Sequence, residues 1–143
     1  QFKQPMRNIA LALALLAPTA AAGGWQVSEA DTFGWRRALV VAGNDRLAVV
    51  CPPNAAPFAV PVATGADAAR AAGRFTLGLE IDGERYDQPM TCSDVLCEAD
   101  LPPRTWQALL AGARVTVWFD DWRGPSFPLA GAAAALRACS PGY

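Results

Sequence analysis

The stretch "RFTLGLEIDGERYD", residues 74–87, constrains the fold more than any other part of the chain. Phe75, Leu77, Leu79 and Ile81 alternate with Arg74, Thr76, Gly78 and Glu80, the two-residue period of a strand with one buried face. Asp82-Gly83 follows, the dipeptide that two-residue type I′ hairpin turns prefer. Such a turn sets the register. It pairs Ile81 with Glu84, Glu80 with Arg85, and Leu79 with Tyr86. Opposite charges then meet on the outer face, and Leu79 meets Tyr86 on the inner one. Each cross-strand pair contributes about 0.2 to 1 kcal/mol.

Turn signals divide the rest of the chain into short elements. Gly24-Trp25-Gln26-Val27 reads as a short edge strand, and "RRALVVAGNDRLAVVC" as a hairpin punctuated by Gly43-Asn44-Asp45. Pro52-Pro53 ends it. "FAVPV", residues 58–62, is expected at a sheet edge because Pro61 cannot donate to a ladder. "GADAARAAG" allows a helical turn or two and is otherwise loop. "DLPPRTWQALLAG" reads as a short helix, with proline in its first turn, Trp106, Leu109 and Leu110 on one face, and Gly112 as cap. "RVTVWF" is a strand with Val115, Val117 and Phe119 on one side; Ser126 to Leu129 returns, and "AGAAAALRAC" closes with a helix carrying Cys139. The expected class is mainly β: a small antiparallel β-sandwich or barrel with one or two short helices.

The first residues carry a different message. Lys3 and Arg7 precede the apolar run Ile9 to Ala17, and small residues follow to Ala22. Basic start, short apolar run and small-residue exit are the parts of a secretory signal peptide. The run is shorter than the roughly 20 residues a membrane span needs. Cleavage after Ala22 is expected, with Met6 as the native start, leaving residues 23–143 as one β-rich domain. No second hydrophobic segment appears, so no stable membrane insertion is expected after cleavage.

Cysteine usage fits an oxidising compartment. Four cysteines stand at 51, 92, 97 and 139, and an even number in a short exported chain reads as a disulfide framework. Three pairings exist. Cys92 and Cys97 flank "SDVL" and can meet across a tight turn; Cys51 would then pair with Cys139. A four-thiolate zinc site is the rival, disfavoured by the compartment and by the single close pair. A redox role for "CSDVLC" is also disfavoured, because oxidoreductase motifs place two residues between the thiols.

The chemistry available is narrow. The chain has no histidine, which removes Ser-His-Asp and Cys-His catalysis and the commonest transition-metal ligand. Lysine occurs only in the leader, at Lys3, so Schiff-base chemistry is absent from the domain. Twelve cations, two of them in the leader, face thirteen acids, which argues against a phosphate-tracking nucleic-acid surface. No catalytic residue, metal ligand or cofactor is assigned. "VWFDDWRGPSF" sets Asp120 and Asp121 side by side, but neighbouring residues on a strand point to opposite faces. The pair reads as a turn, and a calcium loop lacks its ligand spacing. The turn with its neighbours Trp118, Asp120, Asp121, Trp122 and Arg123 is the candidate binding loop, since Trp and Arg dominate interface hot spots. The competing reading lays Trp118 on the sheet and packs Trp122 on Arg123.

"GWQV", "LAVVC", "LEIDG", "MTCSDVLC", "LLAGARVTVWF" and "FPLAGAAAALRAC" together resemble the invasion-associated locus B-like proteins, small periplasmic β-sandwich proteins of α-proteobacteria and their relatives. Family members usually carry a cysteine soon after the opening Trp; here the first after Trp25 is Cys51. The resemblance implies a non-enzymatic envelope protein tied to host association or envelope stress. The expected function is therefore an exported, periplasmic or secreted bacterial protein that binds a protein or cell-envelope component. Inhibitors of lytic enzymes and immunity proteins against secreted toxins share this profile, as do envelope assembly factors. A carboxylate-based glycan hydrolase would require two acids converging in a cleft.

Overall fold

The computed structural model describes residues 24–65 and 72–143; the leader assigned to residues 1–22, and residues 66–71 of the alanine-rich stretch, lie outside them. The elements are β1 (Gln26–Val27), β2 (Arg36–Ala42), β3 (Asp45–Cys51), β4 (Phe58–Val62), β5 (Gly73–Ile81), β6 (Glu84–Cys92), β7 (Cys97–Asp100), α1 (Pro103–Ala111), β8 (Arg114–Phe119), β9 (Trp122–Pro128) and α2 (Ala132–Cys139). The strands form one antiparallel sheet in the order β1-β2-β3-β4-β7-β6-β5-β8-β9. The protein is mainly β, with two short helices among the described residues. The sheet is open, for no ladder joins β1 to β9 among those residues. Its two ends nonetheless approach each other: β2 touches β9, and Trp25 Nε1 donates to the carbonyl of Pro128 at 2.8 Å.

The β5–β6 hairpin has the register that its turn dictates, with Ile81 opposite Glu84, Glu80 opposite Arg85 and Leu79 opposite Tyr86. Asp82 and Gly83 take φ of 51° and 90°, the left-handed values a type I′ turn requires. The β2–β3 hairpin turns at Gly43-Asn44, with Ala42 opposite Asp45.

The edge position expected for β4 is not what forms. β4 lies inside the sheet, between β3 and β7. Its ladder to β7 contains only Phe58↔Asp100 and Ala59↔Ala99, so Pro61 falls beyond it and removes no bond to β7. β7 joins the two halves of the molecule: Cys97 and Glu98 pair with Cys92 and Thr91 of β6, while Ala99 and Asp100 pair with β4. Beyond this short strand the facing edges of β4 and β6 have no partner strand among the described residues. Each carries a proline there, Pro61 and Pro89, the residue that blunts a strand edge.

Both halves bury their inner faces in one core containing Val40, Leu47, Val49, Leu77, Leu79, Val115, Val117, Phe119 and Phe127. α1 begins with Pro102 as N-cap and Pro103 in the first turn, and it buries Trp106 and Leu109. Gly112 ends it where the chain passes Ile81 so closely that a Cβ would collide with that side chain. α2 buries Ala132, Ala135, Leu136 and Cys139, and it packs on β1, β2, β3 and α1. Trp106 meets Tyr143 edge to face at 5.2 Å, and the Tyr143 hydroxyl donates to Leu101 O at 2.8 Å. One polar pair is buried beside α1. Gln88 Nε2 donates to Leu77 O (2.8 Å) and Tyr86 O (2.9 Å), and its Oε1 accepts from Thr105 Oγ1 (2.9 Å). With partners supplied at both ends, the amide escapes the penalty of an unpaired buried polar group, about 1 to 3 kcal/mol.

Two disulfides close the framework, Cys51–Cys139 and Cys92–Cys97, and no cysteine is free. The first spans 88 residues and fixes α2 to the end of β3; the second links the paired ends of β6 and β7. No helix among the described residues is long and apolar enough to cross a membrane.

Candidate functional site

The sheet divides the five residues of the candidate loop among different tasks. The turn itself is only Asp120-Asp121, closed by the pair Phe119↔Trp122, so Trp122 and Arg123 already belong to β9. Asp120 takes φ of 52°, a left-handed conformation that Asp tolerates better than most residues. Its N–H donates to Thr76 O at 2.9 Å, and its Oδ1 accepts from Thr76 N at 2.7 Å. Its carbonyl accepts from Arg85 Nη2 at 2.9 Å. Asp120 thus extends the β5–β8 ladder by one residue, and its carboxylate holds backbone. Asp121 stands exposed at the tip.

The two tryptophans lie on opposite faces. Trp118 lies on the outer one, its Nε1 donating to Glu80 Oε1 at 2.9 Å, with the Arg85 guanidinium 5.0 Å over its ring. Arg85 also meets Asp87 at 2.6 Å and lies flat over Gly78, where any Cβ would strike it. Trp122 packs instead against Phe119, 5.7 Å between ring centroids, and beside Gly65. The stacked cation is therefore Arg85 on Trp118, in place of Arg123 on Trp122.

A second surface has the opposite character. β2, β3 and β4 turn Leu39, Val41, Ala48, Val50, Phe58, Val60 and Val62 outward, together with Arg37 and Arg46, away from the core side chains that alternate with them. Between Trp35, Val50, Phe58, Val60 and Leu96 runs a groove of about 270 Å³, with Arg37 on one flank and Glu98 on the other. Trp35 stands edge-on to Phe58 at 6.2 Å. Both adjoining loops add apolar groups in water: Phe33 is 79% exposed and Val95 84%. The Asp31 carboxylate holds the first loop, accepting from the backbone N–H groups of Phe33 (2.8 Å) and Trp35 (2.9 Å). Ser93 holds the second in the same way, its hydroxyl accepting from Val95 N and Leu96 N at 3.2 Å. Of the apolar groups on and around this face, Val41, Trp35 and Leu96 are also exposed, while Val50 is buried.

Sequence reasoning passed over this face, although its signal was present. "ALVVA", "LAVVC" and "FAVPV" are continuous apolar runs, the pattern of strands covered on both sides. β7 was passed over as well; its Glu98 and Asp100 are exposed. These two acids line one concavity, yet from the same strand, whereas glycosidase acids flank a bond from opposite sides. No group of three or more His, Cys, Asp or Glu among the described residues is placed to hold a metal ion. Comparison of the chain with family models, with curated proteins and with solved structures found no match.

Proposed function

We propose that this chain is an exported, non-enzymatic binding domain of the bacterial periplasm or exterior, working through the apolar outer face of β2, β3 and β4. The observation that carries the reading is the groove between Trp35, Phe58 and Leu96, with its apolar floor and its charged flanks Arg37 and Glu98. Water against such a floor gains about 25 cal/mol per Å² when a partner displaces it. Export is supported by the leader-like start with Lys3 and Arg7 and by two disulfides with no free thiol. The resemblance to invasion-associated locus B-like proteins supports an envelope role. An inhibitor or immunity-type protein would present the same kind of surface. Trp118 and Asp120 are engaged within the fold, so the β8–β9 turn is not the surface proposed.

A photo-crosslinking residue at Val41, on the rim of the apolar face, tests this against the same residue at Glu80 on the other half. In the cell that makes the protein, protein adducts are expected from position 41 and not from 80. Equal labelling, or adducts from 80 alone, would remove the reading.

A further inference from the structure

Across the apolar face the side chains form rows fixed by the ladders. One row reads Arg37, Val50, Phe58, Asp100, from β2 through β3 and β4 to β7. The next reads Leu39, Ala48, Val60. A third row, Val41, Arg46, Val62, carries a further cation near the start of β3. In the first row the face has a positive flank, an apolar centre and a negative flank. Arg37, Glu98 and Asp100 make no ion pair among the described residues. Resting on the binding role of this face, we propose that its occupant is a second copy of the chain, packed face to face about a two-fold axis running along the strands between β3 and β4.

That axis lays β2 on the partner's β7 and β3 on the partner's β4. Arg37 then faces the partner's Asp100, and the contact is made twice, as a two-fold interface requires. Size is matched as well as charge, because Phe58 and Val60 come to lie over the smaller Val50 and Ala48. An axis across the strands would instead set Arg37 on its own copy, so the charge pattern selects one orientation. Aligned sheets pack about 10 Å apart with strands rotated by roughly 30°. The flanks lie about 7 Å from the axis, one and a half strand spacings. The rotation displaces them by about 4 Å. An arginine side chain spans that offset.

Sedimentation of the oxidised, exported protein tests the proposal. A monomer–dimer equilibrium is expected. Arg37→Asp and Asp100→Arg should each weaken self-association by at least about tenfold, since both copies of the contact become repulsive. Mixing the two variants, or combining them in one chain, should restore it, because every facing pair is again opposite in charge. A wild type that stays monomeric at every concentration, or a dimer indifferent to both reversals, overturns the proposal. The crosslinker at Val41 separates this from the parent reading. An adduct to a second copy supports self-association. An adduct to a different protein removes the second copy but leaves the binding face, and no adduct removes both.

Discussion

The two outer faces of this one sheet differ in almost everything except backbone geometry. Over β5, β6, β8 and β9 the outward side chains are Glu80, Arg85, Asp87, Thr116, Trp118 and Ser126, and they satisfy one another. Arg85 reaches Asp87, Asp120 and Trp118, Trp118 reaches Glu80, and the hydroxyls of Thr116 and Ser126 lie 2.6 Å apart. Over β2, β3 and β4 the outward residues are aliphatic or Phe58 except for Arg37 and Arg46, and these two charges have no ion-pair partner among the described residues. An antiparallel sheet with one wet side normally alternates apolar with polar. The second half obeys that rule and the first breaks it. The contrast places the proposed partner on the first half, where outward side chains do not satisfy one another.

The comparison also extends inward. Besides the short β7 ladders and the shared core, α2 and the Cys51–Cys139 bridge tie the first half to the rest. Removing that bridge by Cys51→Ala with Cys139→Ala should therefore be the most damaging change. Closing an 88-residue loop is worth about 4 to 5 kcal/mol in the chain-entropy model. The Cys92–Cys97 bridge closes only a short loop, so Cys92→Ala with Cys97→Ala should cost about 2 kcal/mol. Denaturant midpoints measured for both pairs check the ratio. Equal losses would mean that the long bridge does not hold the two halves together.

Next in size is a test of the inner and outer sides of β3 and β4. Leu47 is fully buried, and Leu47→Ala should cost about 2 to 5 kcal/mol. Val60, on the outer side, should lose less than about 1 kcal/mol as Val60→Ala in dilute protein. Its cost should grow with concentration, because a partner that covers Val60 stabilises only the assembled wild type. A concentration-independent cost would place Val60 in the core and erase the contrast between faces.

How much of this could be read beforehand depends on how local each cause is. The β5–β6 register was legible down to the pairing of Glu80 with Arg85, because Asp82-Gly83 fixes it within a few residues. The α1 cap and the inward faces of β8 were legible for the same reason. The place of β4 was not. Whether Pro61 excludes an interior strand depends on how far β7 extends, and that is set by contacts forty residues away in sequence. The candidate loop was half legible: its turn follows from Asp120-Asp121, but the division of Trp118 from Trp122 follows from strand alternation once β9 is known to start at Trp122. The apolar runs were legible, but not what lies over their second side, since "LAVVC" reads alike whether it meets a helix, another sheet or water.

Two aspartates sharpen the comparison at the polar half. Asp82 and Asp120 sit at opposite ends of the β5–β8 ladder, both with left-handed φ, and each turns its carboxylate onto the neighbouring strand. Asp82 accepts from Ala113 N and Arg114 N, Asp120 from Thr76 N. Asp120→Ala leaves the Thr76 N–H without that oxygen and strains the turn, a cost of about 1 to 2 kcal/mol. Asp121→Ala, at the exposed tip of the same turn, should stay within about 0.5 kcal/mol. Urea unfolding of the two variants compares them directly, and equal effects would show that the carboxylate is not a clip.

A small effect is also expected at Arg85. Its guanidinium covers Gly78, stacks on Trp118 and ties Asp87 to the β8–β9 turn, all on the surface. Exposed cation–π contacts are worth about 0.5 to 1 kcal/mol, and exposed ion pairs no more than that. Arg85→Ala should therefore cost about 1 kcal/mol and change Trp118 fluorescence, while self-association stays as in wild type. That last clause carries the weight of the comparison. The polar half is complete without a partner, so loosening it should disturb local packing alone. If Arg85→Ala altered assembly as strongly as Arg37→Asp, the two outer faces would belong to one interface, and the division between a finished surface and an unfinished one would fail.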